Sequence, residues 1–124
     1  MDRGELEARC LAFGVAVFAF CRGWHGAPGG RGPGGQLVDC ATSIGANCRA
    51  TSRARSRAEF VSKLAIVVEE ADEAVFWLEF AQRVHLGDAA EADRLLGDAQ
   101  ELRAIFAASY RTARRNAPGA GRRV

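Results

Sequence analysis

Arginine is the residue type in this chain best suited to binding chemistry. Sixteen of the seventeen basic residues are arginine, Lys63 being the exception. Arg49, Arg53, Arg55 and Arg57 fall close together, with Lys63 nearby. A second group, Arg111, Arg114, Arg115, Arg122 and Arg123, crowds the last residues. The guanidinium fork matches phosphate oxygens, so such clusters suit the backbone of a nucleic acid. The plainer reading of the same residues is a solvated helix end. No aromatic side chain interleaves them, which argues against base stacking. The formal charge of the whole chain is only +2, so bulk charge does not by itself mark a nucleic-acid binder.

Glu69, Glu70, Asp72, Glu73 and Glu79 form an acidic counterpart. Di-metal sites in helical bundles use Glu-x-x-His pairs on two helices. No His follows a Glu at that spacing here, so no metal and no cofactor are expected. Glu70, Glu73 and Trp77 instead share one helix face and could meet arginines of another helix or subunit. His25 lies in a Gly-rich stretch and His85 at a helix end. Neither has a Ser, Cys or Asp set beside it by spacing, and His85 reads as a cationic cap. Without a nucleophile and base paired by spacing, no enzymatic activity is expected.

Cys10, Cys21, Cys40 and Cys48 contain no Cys-x-x-Cys pair, so zinc spacing is absent. The longest mostly apolar uncharged run, 10–21, is twelve residues. A membrane span needs about 20, and a secretory signal needs a positive leader that this run lacks. The expectation is a cytoplasmic protein, off the membrane, whose reduced thiols fill its core.

These residues must be positioned by helices. At 124 residues, with 48% apolar and 26% charged residues, the chain is one soluble globular domain. Leu6, Cys10, Phe13, Val17, Phe20 and Trp24 alternate four and three apart, which predicts a helix over 4–22. The stretch 23–35 carries seven Gly and two Pro and is expected to be a mobile loop. It lacks the Gly-Lys-Ser/Thr ending of a phosphate loop. A second helix is predicted over 36–53, with small residues at its centre. Gly45 there marks either a close approach of a neighbouring helix or a kink.

Ser56 and Glu59 form a capping box that opens a third helix over 57–85. Its stripe is Phe60, Leu64, Val67, Ala71, Ala74, Leu78 and Ala81. Val61, Ala65, Val68, Val75 and Phe76 widen the apolar face so far that a second subunit should cover part of it. Asp88 and Glu91 open a fourth helix over 89–116, with the stripe Ala92, Leu95, Ala99, Leu102, Phe106, Ser109 and Ala113. The domain is thus 1–117, and the tail 118–124, rich in Gly and Arg, is expected to be disordered. No segment alternates with period two, so the fold class is all-α, an antiparallel up-down four-helix bundle. In that topology the two arginine groups share one end and form a basic pole.

The run 36–80 resembles the bacterial four helix bundle protein family, whose founding members are encoded in intervening sequences of large-subunit ribosomal RNA genes. Three motifs carry the resemblance: Thr42, Ser43, Ala46 and Asn47; Ser56, Glu59 and Phe60; and Glu70, Ala71, Glu73, Trp77, Leu78 and Glu79. The Gly-rich first connection departs from the family's shorter, more polar one. The resemblance implies a bundle assembled into a homopentameric ring, with no known enzymatic activity. Fold relatives include accessory variability determinants of retroelements, which bind nucleic acid and engage a reverse transcriptase. The expected function is therefore a non-enzymatic accessory protein that binds RNA or DNA. The site is Arg49, Arg53, Arg55, Arg57, Arg111, Arg114 and Arg115, repeated around the ring. Glu70, Glu73, Phe76 and Trp77 are expected at the interface between subunits. The alternative is a homo-oligomeric scaffold that binds only protein.

Overall fold

Three helices of the computed structural model, which describes residues 1–24 and 26–116, start on a side-chain cap. Asp2 accepts a hydrogen bond from the Glu5 N–H at 2.9 Å, Ser56 from Glu59 at 3.1 Å, and Asp88 from Glu91 at 2.9 Å. Each satisfies a donor that the first turn leaves without a partner. The elements are α1 (Arg3–Arg22), α2 (Arg31–Thr51), α3 (Arg57–Val84) and α4 (Ala89–Arg115). No described residue is in a strand. His25 and the tail 118–124 lie outside the described residues.

The expected loop over 23–35 needs correction. Helix α2 begins at Arg31, so Gly32, Pro33, Gly34 and Gly35 are helical. Pro33 is tolerated because it stands in the first turn, where a proline's missing N–H would have no intrahelical partner. The glycines let the chain wrap Trp24, which is 1% exposed. A Cβ at Gly30 would collide with the Trp24 carbonyl oxygen, and one at Gly34 would stand 3.3 Å from the indole ring. Short turns finish the segment: the Ala27 N–H donates to the Trp24 carbonyl and the Gly30 N–H to that of Ala27, both at 3.0 Å. Helix α3 ends on His85, which takes the left-handed conformation at φ 60°. Helix α4 stops at Arg115 and α1 starts one residue earlier than expected.

Side-chain bonds between helices give their directions. Arg3, at the start of α1, donates to Ser52, just past the end of α2, at 2.7 Å. Gln82 near the end of α3 donates to Asp93 near the start of α4 at 2.7 Å, and Arg103 pairs with Asp72 at 2.8 Å. Arg9 pairs with Glu101 at 2.8 Å. Moving along one helix of each pair means moving back along the other, and five residues join α2 to α3. The chain therefore runs up, down, up, down. Sequential helices pack against each other, α1 also touches α4, and the diagonal pairs make no backbone contact.

The stripes read from the sequence face inward. Cys10, Phe13, Val17, Leu37, Ile44, Leu64, Val67, Leu78, Leu95, Leu102 and Phe106 are buried in one cluster. Ser109 is the exception: it is exposed, and the half-buried Tyr110 lies against the core instead. Gly45 marks a close approach, since a Cβ there would lie 3.7 Å from the Cys10 backbone. Gly14 mirrors it, 3.6 Å from the Ala41 carbonyl oxygen. At the other end, Phe20 meets Trp24 edge to face at 5.2 Å. Gly87, at φ +75°, closes over them.

All four thiols are free and buried. Burial pushes Cys21 and Cys40 up to about 12. A hydrogen bond to Cys48 and burial together raise Cys10. The hydrogen bond with Cys10 lowers Cys48, but all four thiols are at most 8% exposed, so an aromatic disulfide reagent at pH 8 should titrate no thiol in native protein and four after denaturation. Thiol release read by absorbance checks this.

The two kinds of glycine should respond oppositely to alanine. A Cβ at Gly87 would lie 2.5 Å from the Phe20 ring and 2.6 Å from the Trp24 indole nitrogen, on a backbone that side chains disfavour. Gly87→Ala should destabilise by about 2 kcal/mol or more. Gly97 stands exposed within α4 with nothing near its missing Cβ. Gly97→Ala should stabilise by about 0.5–1 kcal/mol. Urea unfolding midpoints of the two variants measure both effects.

Candidate nucleic-acid interface

The up-down topology carries four chain segments to one end of the bundle: the start of α1, the end of α2, the start of α3 and the end of α4. Arg49 lies in the last turn of α2, and Arg53 and Arg55 in the connection that follows it. Arg57 is the first residue of α3. Arg111, Arg114 and Arg115 lie at the end of α4. A shallow depression lined by Arg57, Phe60, Ser109, Thr112 and Asn116 shows the start of α3 lying against the end of α4. All seven arginines expected from sequence are brought to this pole, and all seven are exposed.

Most of them are uncommitted. Arg55 sits 3.5 Å from Glu59, an exposed pair one helical turn apart. Such pairs contribute only about 0.3–0.5 kcal/mol, so Arg55 remains free to exchange its partner for phosphate. Arg49, Arg114 and Arg115 stand in the last turns of α2 and α4, where they also complement the negative ends of the helix dipoles. The bland reading as helix-end cations is therefore physically satisfied by part of the set. Arg53 and Arg57 have no such role and make no ion pair among the described residues.

One cation of this pole escapes a reading of clusters along the chain. Arg3 stands at the start of α1, hydrogen-bonds to Thr51 and Ser52, and lies 5.7 Å above the Phe60 ring. It is distant in sequence from both arginine groups, and only the topology brings it near. Asp2, Glu5 and Glu7 arrive on the same segment and temper the field, and Glu7 accepts a hydrogen bond from Ser52 at 2.8 Å. Phe60 and Tyr110 are the aromatic residues nearest the pole, and both are half-buried. The surface thus offers charged forks to phosphate and no flat ring to a base.

The residues expected at an oligomer interface lie along α3. Phe76 is 55% exposed and Glu73 is exposed, while Glu70 and Trp77 are half-buried. Phe76, Trp77 and Phe80 form an aromatic cluster, with centroids 4.9 Å apart for Phe76 and Trp77 and 5.6 Å for Trp77 and Phe80. A second exposed apolar stripe, Leu11, Val15 and Phe18 on α1, has no counterpart in the sequence expectation. Its signal was the apolar character of α1 all round its circumference.

The family model described as 23S rRNA-intervening sequence protein matches residues 13–108. The chain belongs to this family. The match spans the second half of α1, all of α2 and α3, and most of α4. A solved structure with a closely similar fold is the crystal structure of a protein of unknown function from the S23 ribosomal protein family of Bacteroides thetaiotaomicron VPI-5482. It is 27% identical, with a TM-score of 0.78, over 85% of this chain and 97% of that one. No curated protein sequence matches the chain. Among the described residues no group of three or more His, Cys, Asp or Glu side chains could hold a metal ion, and no helix is long and apolar enough to cross a membrane.

Beside the aromatic cluster, burial raises the Glu70 carboxyl above its ordinary range, and the like charges of Glu73, Glu69 and Asp39 add to this. A carboxyl raised in the folded state supports folding only while protonated, below its unfolded value near 4.5, and that support is lost as pH rises through the folded value. At neutral pH Glu70 is therefore a net burden on the isolated bundle. Glu70→Gln should raise the Tm at pH 7 at a concentration where the chain is monomeric, and the gain should shrink towards pH 4. Calorimetry at the two pH values checks it.

Proposed function

We propose that the protein is a non-enzymatic, homo-oligomeric helical bundle that binds nucleic acid through its basic pole. The observation that carries this reading is the convergence of Arg49, Arg53, Arg55, Arg57, Arg111, Arg114 and Arg115, from the ends of three helices, on one exposed surface. The family's name, which ties it to an intervening sequence of ribosomal RNA, supports RNA as the first ligand to try. Assembly into a ring, a pentamer by family resemblance, would repeat the pole several times. A field too weak in one copy then becomes strong through multivalency. Recognition is of phosphate and shape, with little dependence on sequence. A cytoplasmic location, where the thiols stay reduced, goes with this reading.

The second reading is a scaffold that binds only protein, a reverse transcriptase among the candidate partners. The exposed apolar stripes on α1 and α3 favour it.

A gel-shift titration of structured RNA and duplex DNA at two salt concentrations separates the readings. For nucleic-acid binding, affinity should fall steeply with salt, because each neutralised phosphate releases condensed counterion. Arg53→Ala, Arg55→Ala and Arg57→Ala combined should weaken binding to all sequences alike and lower the salt slope, by about one per phosphate contact removed. Equal binding by wild type and the triple variant, or no binding at low salt, leaves the protein-only scaffold.

A further inference from the structure

Two of the four buried thiols meet. Cys10 on α1 and Cys48 on α2 are 0% and 2% exposed and share a hydrogen bond. The packing of the two helices brings this about. Gly45 stands opposite the Cys10 main chain, its missing Cβ 3.7 Å from the Cys10 carbonyl oxygen. Cys48 follows one turn later among the buried residues of α2. In a helix every Cα–Cβ bond tilts towards the helix's own N-terminus. Because α1 and α2 are antiparallel, the Cys10 thiol leans towards the basic pole and the Cys48 thiol away from it. Each therefore leans into the other.

The remaining thiols are placed differently. Cys40 donates to the Leu37 carbonyl of its own helix at 3.3 Å, and Cys21 packs beside Gly34. Neither shares a hydrogen bond with another thiol among the described residues. Both are accounted for as small apolar core residues. A disulfide needs converging Cβ directions and Cα atoms no more than about 7 Å apart. The close approach of α1 and α2 at Gly14 and Gly45 favours that geometry for Cys10 and Cys48.

We propose that Cys10 and Cys48 are a reversible disulfide clasp between α1 and α2, closed by a peroxide and opened by a dithiol. The Cys48 sulfur attacks one peroxide oxygen and the O–O bond breaks. Cys48 becomes a sulfenic acid, and the departing hydroxide takes up a proton to leave as water. The Cys10 sulfur then attacks the Cys48 sulfur, the S–O bond breaks, and a second water leaves with the Cys10 proton. Two thiols lose two electrons and the peroxide gains them. A dithiol reverses the clasp by exchange and is itself oxidised to a disulfide. Cys48 is the attacking sulfur, because the Cys10 hydrogen bond and the charge of Arg3 favour its thiolate against burial and Glu7.

Access suits a small oxidant and excludes a bulky one. Cys10 lines the floor of a groove of about 430 Å³ between α1 and α2, which Gly14, Gly45 and Ala46 leave thinly covered. A closed clasp would fasten the same seam that Arg3 holds to Thr51 and Ser52. It would also enclose residues 11–47 in one covalent loop, which restrains the unfolded chain. The clasp is independent of whether the pole binds nucleic acid.

The test treats folded, reduced protein with hydrogen peroxide, removes the oxidant and counts thiols after denaturation. Wild type should fall from four thiols to two and return to four with dithiothreitol. Cys21→Ala and Cys40→Ala combined should fall from two to none, whereas Cys10→Ala and Cys48→Ala should form no disulfide. Peptic peptide masses of oxidised wild type should show Cys10 joined to Cys48 with the loss of two hydrogens, an assignment that needs no variant to fold. Oxidised wild type should unfold at a higher urea midpoint than reduced, a gain absent from Cys10→Ala. Four thiols surviving in wild type, a loss that dithiothreitol does not restore, a bridge to Cys21 or Cys40, or chain-to-chain dimers on a non-reducing gel would each overturn the clasp.

Discussion

The close approach of α1 to α2 at Gly14 and Gly45 is the constraint on which the surface of this bundle depends. With 3.6 and 3.7 Å separating the missing Cβ positions from the opposite backbone, the two helices meet main chain to main chain. That contact aligns the start of α1 with the end of α2, placing Arg3 beside Thr51 and Ser52. It also strips the outer seam of side chains. Leu11, Val15 and Phe18 then stand above a groove that nothing in the chain fills. One pair of glycines therefore shapes both the basic pole and the apolar surface next to it.

The parts of the fold written in local chemistry were legible in the sequence. The capping boxes at Ser56 and Asp88 and the stripe from Leu64 to Ala81 are patterns within one or two turns, and the structure follows them. The start of α2 was not legible. Glycine and proline signal a loop when helix propensity is the only term, but Gly30 and Gly34 are set by the bulk of Trp24, and Pro33 by its place in the first turn. Val75 and Phe76 are read from sequence into one widened face of α3, but Val75 is buried and Phe76 exposed, a split that the apolar pattern alone does not contain. The arginine clusters were visible, and their union followed from the up-down topology. Arg3 was missed because its partners lie far away along the chain.

The basic pole also shows how a structural role and a binding role can share the same residues. The carbonyl ends of α2 and α4 emerge there, and an arginine in a last turn lowers the energy of such an end by about 0.3–1 kcal/mol. Arg49, Arg114 and Arg115 are explained that far without any ligand. Arg53 and Arg57 are not. An exposed connection that gathers cations beyond what its helix ends require concentrates positive potential where a phosphate backbone could use it.

The lopsided attachment of α1 bears on how the molecule opens. Helix α3 packs extensively against both α2 and α4, whereas α1 packs against α2 and only sparsely against α4. The contacts of α2, α3 and α4 lie close along the chain and can form quickly. The bundle is then a three-helix unit with a fourth helix laid against one side. Such a helix is the natural unit of partial unfolding, and its amides would exchange with solvent ahead of those of α3. Any surface that covers the outer face of α1 would slow that opening, so a grip on α1 acts at once as a contact and as a brake on unfolding.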